Sequence, residues 1–208
     1  MKINKPKIRI YEEKKFDELD LLYNIENLEI NSNPNNKIKL SDLTIDSCII
    51  KNVNFQNITL NNVDLLDVTF ENCDLSNTCF DNRFITRVEF INCKLSGMSL
   101  INANIKDVLI YNSNCCLINF TNSSLTNIII QNTSLNEAYL YECIIKNIEL
   151  DNNKFNGTEI QLTNLNNVNF TTCDISGIRM DSYSMKGIKI NSLQCRELIG
   201  ILGIEVVD

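Results

Sequence analysis

Between Leu40 and Ile190 every fifth residue is apolar: thirty-one consecutive positions in one frame, twenty-eight of them Leu, Ile or Phe and the others Cys115, Met180 and Met185. A helix repeats its apolar face about every 3.6 residues and a strand every 2, so neither element alone accounts for this spacing. Chance does not account for it either. With 44% apolar residues overall, a frame of this length would arise with a probability on the order of 10⁻¹¹. A unit of five residues must therefore be the building block, and no insertion breaks the frame.

The positions around each large centre have their own chemistry. Two residues before it the side chain is mostly Val, Ile, Cys, Ala, Ser or Thr, with Arg83, Asn153 and Tyr183 as exceptions. Two residues after it, fifteen of thirty positions are Asn, and four of the six glycines (Gly97, Gly157, Gly177 and Gly187) also stand there. Asn and Gly tolerate positive φ, so this slot reads as a corner, and each unit as a short flat side ending in a bend. Asn52, Asn72, Asn92, Asn112, Asn132 and Asn152 recur at a spacing of twenty. Identical amides stacked one strand spacing apart can hydrogen-bond in a ladder, which predicts four sides to a coil.

Units such as ENCDL, SNTCF, INCKL, NNVDL and TTCDI resemble those of pentapeptide-repeat proteins, in which a small residue precedes a large apolar centre by two. The resemblance covers about three-quarters of the chain. It implies an all-β fold, a right-handed quadrilateral β-helix with the centre and small residues turned inward. The family favours Ala in the small slot, where this chain often has Val or Ile, which predicts a coil locally wider or less regular. Coils stacked at roughly 4.8 Å would make a rod on the order of 36 Å long. Arg83 conflicts with such an interior, because an unpartnered guanidinium there would cost several kcal/mol. A bulged corner from Asp81 to Phe84 is expected, turning Arg83 outward with Phe84 taking part of its place.

A stacked coil exposes its lumen and strand edges at both ends, so caps are needed. Three segments follow: an N-terminal cap over 1–37, the β-helix over 38–190 and a tail over 191–208. Ile8 to Tyr11 reads as a strand, and Phe16, Leu19, Leu22 and Tyr23 as one side of a short helix. In the tail, Asn191 or Ser192 can start a helix bearing Leu198, Ile201 and Leu202; Gly203 stops it, and Ile204, Val206 and Val207 follow as a strand-like strip. Similar tails in pentapeptide-repeat proteins, including those associated with quinolone resistance, imply an end-to-end homodimer.

Little in the sequence points to chemistry. There is no histidine, no Gly-rich phosphate loop and no metal-spaced cysteine group, so no cofactor or metal is signalled and the chain reads as non-enzymatic. The nine cysteines are odd in number and scattered; Cys48, Cys73, Cys93, Cys143 and Cys173 fall in the small slot and read as core. The nearby acidic pair Glu149 and Asp151 reads as a solvated face. No apolar run is long enough for a membrane span and no leader is evident at the start, so a cytoplasmic location without membrane contact is expected.

Net charge is −7, and residues 38–190 carry sixteen acidic against eleven basic groups. That disfavours direct nucleic-acid binding, which wants a basic patch, and leaves open a protein that competes with nucleic acid. A register of twenty places Ile91 beside Tyr111, and Leu109 beside Ile129, on one outer side, a candidate interaction patch. The leading expectation is a non-catalytic scaffold for protein–protein interaction. The family resemblance implies a specific alternative: a DNA-mimicking rod that modulates DNA gyrase or topoisomerase IV and contributes to fluoroquinolone resistance. Basic residues interrupt the acidic columns, as in Asp67, Arg87, Asp107, and no large loops interrupt the frame.

Overall fold

The computed structural model describes residues 1–19 and 24–204. Its strands are β1 (Glu12–Glu13), β2 (Ile25–Glu26), β3 (Leu28–Ile30), β4 (Ile38–Lys51), β5 (Ile58–Glu71), β6 (Phe84–Ile91), β7 (Asn104–Tyr111), β8 (Ser124–Gln131), β9 (Tyr139–Tyr141), β10 (Ile144–Asp151), β11 (Glu159–Gln161) and β12 (Arg179–Met180). Two short helices follow, α1 (Ser182–Met185) and α2 (Cys195–Ile201). All ladders are parallel. In the repeat region each residue pairs with the one twenty positions on, as in Leu65 with Ile85, Val88 with Val108 and Ile105 with Leu125. The result is a parallel β-solenoid of about eight turns.

The corners lie where the sequence puts them. Twenty-four non-glycine residues have φ between 50° and 67°, and every one stands two residues after a multiple of five. Half the corners are tight turns in which the amide two places before one centre bonds the carbonyl of the preceding centre, as in Thr78 to Leu75 (3.2 Å), Met98 to Leu95 (3.1 Å) and Ile118 to Cys115 (3.2 Å). Such a turn requires positive φ at its third residue, which explains the preference for Asn and Gly. Of the other corners, those at Arg87, Asp107, Asn127 and Asn147 lie inside β6, β7, β8 and β10, whose pairing resumes on either side of the bend, and those at Asn92, Asn112, Asn132 and Asn152 directly follow the ends of the same strands. The square therefore has two laddered sides and two sides held by turns and single bridges, such as Asp74 to Lys94 to Asn114.

The lumen is closely filled. Val and Ile in the small slot do not disturb the register: Val68, Val88, Val108 and Ile128 are buried in one unbroken column. Phe70 and Phe90 stack with ring centroids 5.2 Å apart, and Phe55 meets Phe70 edge-on at 5.9 Å. Asn153 is buried without being orphaned. Its Oδ1 accepts the Thr133 amide at 3.0 Å and its Nδ2 donates to the Ile130 carbonyl at 2.7 Å. Tyr183 lies in α1, where the coil gives way, and is exposed.

The expected bulge at Arg83 does not form. Asn82 has φ 60°, the Arg83 amide bonds the Phe80 carbonyl at 3.2 Å as in any other tight corner, and the Asn104 amide bonds the Arg83 carbonyl. Only the side chain departs: it is half-buried, and its Nε donates to the Asp81 carbonyl at 3.3 Å. Phe84 does not replace it in the lumen and is 60% exposed. A long flexible side chain can leave a narrow interior without moving the backbone.

Both ends are plugged by side chains. Phe16, fully buried, sits edge-on to Phe55 at 6.1 Å within a single 3₁₀ turn (Phe16–Glu18). That turn is shorter than the expected helix, whose Leu22 and Tyr23 lie outside the described residues. Ile8 to Tyr11 is extended but belongs to no strand; the first ladder begins at Glu12, which pairs with Leu28. At the far end Gln194 donates to the carbonyls of Phe170 and Cys173 at 2.8 and 2.7 Å. Asn191 caps the turn before α2, accepting the amides of Leu193 and Gln194. The helix ends on Gly203, with the Gly203 amide bonding Gly200 and the Ile204 amide bonding Ile199.

Candidate interaction surfaces

Residues 1–10 run along the outside of the rod, across the strands rather than beside one. A segment crossing a sheet at right angles cannot join its ladder, so its amides need side-chain acceptors. Asp67 and Asp107, both corner residues, supply them. The Lys7 amide donates to Asp67 Oδ1 at 2.8 Å; the Asn4 amide and Nδ2 donate to Asp107 at 3.3 and 3.0 Å. At one end the Met1 amino group bonds and pairs with Glu149, and at the other the Tyr11 amide bonds the Asn27 carbonyl at 3.0 Å. Three residues of strap thus span two coils, which matches extended chain at roughly 3.3 Å per residue laid on coils roughly 4.8 Å apart. Ile3, Pro6, Ile8 and Ile10 are half-buried, whereas Lys2, Lys5, Lys7 and Arg9 are exposed.

The column beneath is a charged relay. Arg87, one coil from each Asp, forms a bidentate pair with Asp67, Nε and a terminal nitrogen each at 2.6 Å. Asn127 donates to Asp107 at 3.0 Å, and Asn147 to Asn127 at 2.9 Å. Asp67 and Asp107 are 5% and 2% exposed. Burial pushes the Asp67 carboxyl up, but the Arg87 guanidinium and Lys7 amide outweigh it and hold it below the usual carboxylate range. The same contest at Asp107 is won by Asn4 and Asn127.

The next corner column is uncharged. The amide ladder forms: Asn72 to Asn52 and Asn92 to Asn72 at 3.3 Å, Asn112 to Asn92 and Asn152 to Asn132 at 2.7 Å. It borders an open, shallow polar groove that also includes Lys94, Asn114, Ser134 and Lys154.

The register unites the predicted patch: Ile91 lies beside Tyr111 and Leu109 beside Ile129. Tyr111 is 40% exposed, while the other three are half-buried. Leu109 and Ile129 share their column with Glu149, which holds the amino terminus. Glu149 thus bonds the start of the strap on a face that stays open to solvent, as the sequence reading expected. In the tail, Leu198 packs against the core, whereas Ile201, Leu202 and Ile204 are exposed, as is Leu193; Val206 lies outside the described residues.

Burial pushes the Cys48 and Cys143 thiols up to about 11, which keeps them protonated. Among the described residues, no three His, Cys, Asp or Glu side chains are placed to hold a metal ion, and no helix is long and apolar enough to cross a membrane.

A solenoid of four-cornered, twenty-residue coils with this inward pattern defines a repeat scaffold. Family models agree: one described as a pentapeptide repeat region matches residues 63–140, and one described as pentapeptide repeats (8 copies) matches 133–171. The chain belongs to the pentapeptide-repeat family. Among solved structures it is similar to a trypsin-treated form of QnrB1, a plasmid-mediated fluoroquinolone resistance protein, with 18% identity over 89% of this chain and 98% of that one, at a TM-score of 0.53. It also matches HetL, a pentapeptide-repeat protein involved in heterocyst differentiation regulation from the cyanobacterium Nostoc sp. strain PCC 7120, with 14% identity over 88% and 90% of the two chains and a TM-score of 0.40. No curated protein matches the chain.

The strap is what the sequence reading missed. Its signals were the run of Lys2, Lys5, Lys7 and Arg9 interleaved with Ile3, Pro6, Ile8 and Ile10 and free of acidic residues, and two aspartates in a corner column where Asn would suffice.

Proposed function

We propose that the protein is a non-catalytic scaffold for protein–protein interaction, located in the cytoplasm and dimeric through its C-terminal tail. The observation that carries the reading is the division of labour between inside and outside. The lumen is occupied by packed apolar side chains, while large apolar side chains are exposed on the tail at Leu193, Ile201, Leu202 and Ile204 and along the sides at Phe84, Tyr111, Tyr139, Tyr141 and Ile144, among others. The tail supplies the dimer face, and Ile91, Leu109, Tyr111 and Ile129 a second contact. Analytical ultracentrifugation is expected to find a dimer in the intact chain and a monomer after Leu202→Asp; a monomeric intact chain overturns the dimer. Tyr111→Ser is expected to leave folding intact and weaken association, and unchanged oligomerisation and partner binding would count against the patch.

A more specific reading is competition with DNA for a type II topoisomerase, DNA gyrase or topoisomerase IV, without binding nucleic acid itself. Two features favour it: the likeness in fold to QnrB1, and the uneven outer charge. Residues aligned with Phe84–Ile91 in the coils from 44 to 151 carry eight acidic and four basic groups, whereas the rest of 38–190 carries eight and seven. A gyrase supercoiling assay with and without a fluoroquinolone tests it. Inhibition or protection at micromolar protein supports the reading, and no effect leaves the general scaffold.

A further inference from the structure

We infer that residues 1–10 are a built-in occupant of an interaction surface whose external partner is a protein face rich in Lys and Arg, of the kind that holds a nucleic acid backbone. The inference deepens the scaffold reading and rests on it. Three observations converge. First, the strap is held by discrete points: the Asn4 and Lys7 amides on Asp107 and Asp67, and the amino terminus on Glu149. Between them its backbone adds nothing to the ladders, so release costs the solenoid no strand pairing. Second, the charges match. The strap carries Lys2, Lys5, Lys7, Arg9 and the amino terminus with no acidic group, and lies on the two laddered sides where acidic groups outnumber basic ones two to one. Third, Asp67 and Asp107 are the most deeply buried charged side chains among the described residues, yet they are corner residues, and this segment covers them from outside.

A partner that brings its own cations and amide donors to this column would satisfy the same acceptors and displace the strap. With the strap in place the rod's acidity is partly self-neutralised; with it released, the Asp67, Asp107 and Glu149 carboxylates lose their covering amides and amino group, with Arg87 left between the first two. The strap thereby sets the threshold a partner must meet, by intramolecular competition at high effective concentration.

The test uses the full chain, a double variant Asn4→Ala/Lys7→Pro that removes two of the strap's donors, the Asn4 Nδ2 and the Lys7 amide, and a chain lacking residues 2–10. Nona-arginine is the probe, with binding read by fluorescence anisotropy at low salt and folding checked by circular dichroism. Both altered chains are expected to bind at least tenfold more tightly than the full chain, and Asp107→Asn in the double variant to lose most of that gain. Equal affinity for all chains, or a gain indifferent to Asp107→Asn, overturns the inference. If the shortened chain does not fold, the double variant decides alone. Because a defined peptide is read out, a negative supercoiling assay and a negative result here are distinguishable: the first rejects the topoisomerase, the second the strap.

Discussion

Two corner columns, five residues apart in sequence and alike in backbone, do opposite things. Asp67, Arg87 and Asp107 are charged, covered and, through the two aspartates, bonded to a segment at least sixty residues away. Asn72, Asn92 and Asn112 are uncharged, exposed and bonded mainly to one another. Both columns meet the same conformational demand, φ near 55°. The difference teaches that the corner fixes only the backbone, leaving the side chain free to specialise. An amide serves where the neighbour is another amide. A carboxylate is needed where amide donors arrive from outside the ladder.

The largest effect is expected on the charged side. Asp67→Ala removes both hydrogen bonds to a half-buried Arg87 and the acceptor for the Lys7 amide, and should cost about 3 kcal/mol, at the low end for a broken buried pair because Arg87 keeps some solvent. Urea denaturation measures it, and a loss under about 1 kcal/mol, the range of an exposed ion pair, would mean the column is no more than decoration. Next comes Asn153→Ala inside the lumen, beside the amide ladder. It leaves the Thr133 amide and the Ile130 carbonyl unpaired away from water, at about 2 kcal/mol. That loss should appear without any change in strap exposure, which separates a lumen defect from a surface one.

Of the two columns, acid should act on the strapped one. Asp67 and Asp107 titrate below their unfolded range, so the stability they confer is present above that range, about pH 3.9, and drains away as pH falls through their folded values. The Lys7 and Asn4 amide protons, followed by NMR, should shift with midpoints below about pH 3.9. The Asn amides of the uncharged ladder should show no such midpoint. A strap that lets go near neutral pH would contradict these assignments.

How much of this was legible in the sequence follows from what sets each feature. The coil was legible because thirty-one centres and an Asn column at twenty are enforced by the lumen and by the corner, both local demands repeated many times. Arg83 was misjudged because a period says where a Cβ points and nothing about where the rest of a long side chain leads; the side chain escapes while the corner stays regular. Ile8 to Tyr11 was read as a strand because alternation reports that one face is covered, not that the covering surface is a ladder. The segment does alternate, but it crosses the strands. Asp67 and Asp107 looked like members of an acidic column interrupted by Arg87, since their partners are amides of a segment no spacing rule connects to them.

The smallest effect distinguishes two explanations of the amide column. Asn112 donates to Asn92 at 2.7 Å and has φ 50°, so it could be retained for the ladder or for the corner. Asn112→Ala loses both and should cost about 1 kcal/mol, mostly the penalty of a Cβ in the left-handed region without a compensating side chain. Asn112→Gly loses only the ladder bond, which is exposed to water and exchangeable, and regains the backbone freedom that Ala lacks; it should fall within about 0.5 kcal/mol of the parent. If Gly costs as much as Ala, the exposed ladder carries energy of its own and the two columns are more alike than their solvent exposure suggests. If Gly is neutral, the column owes its Asn to φ, and the exposed polar groove beside it is free to change sequence while the strapped column is not.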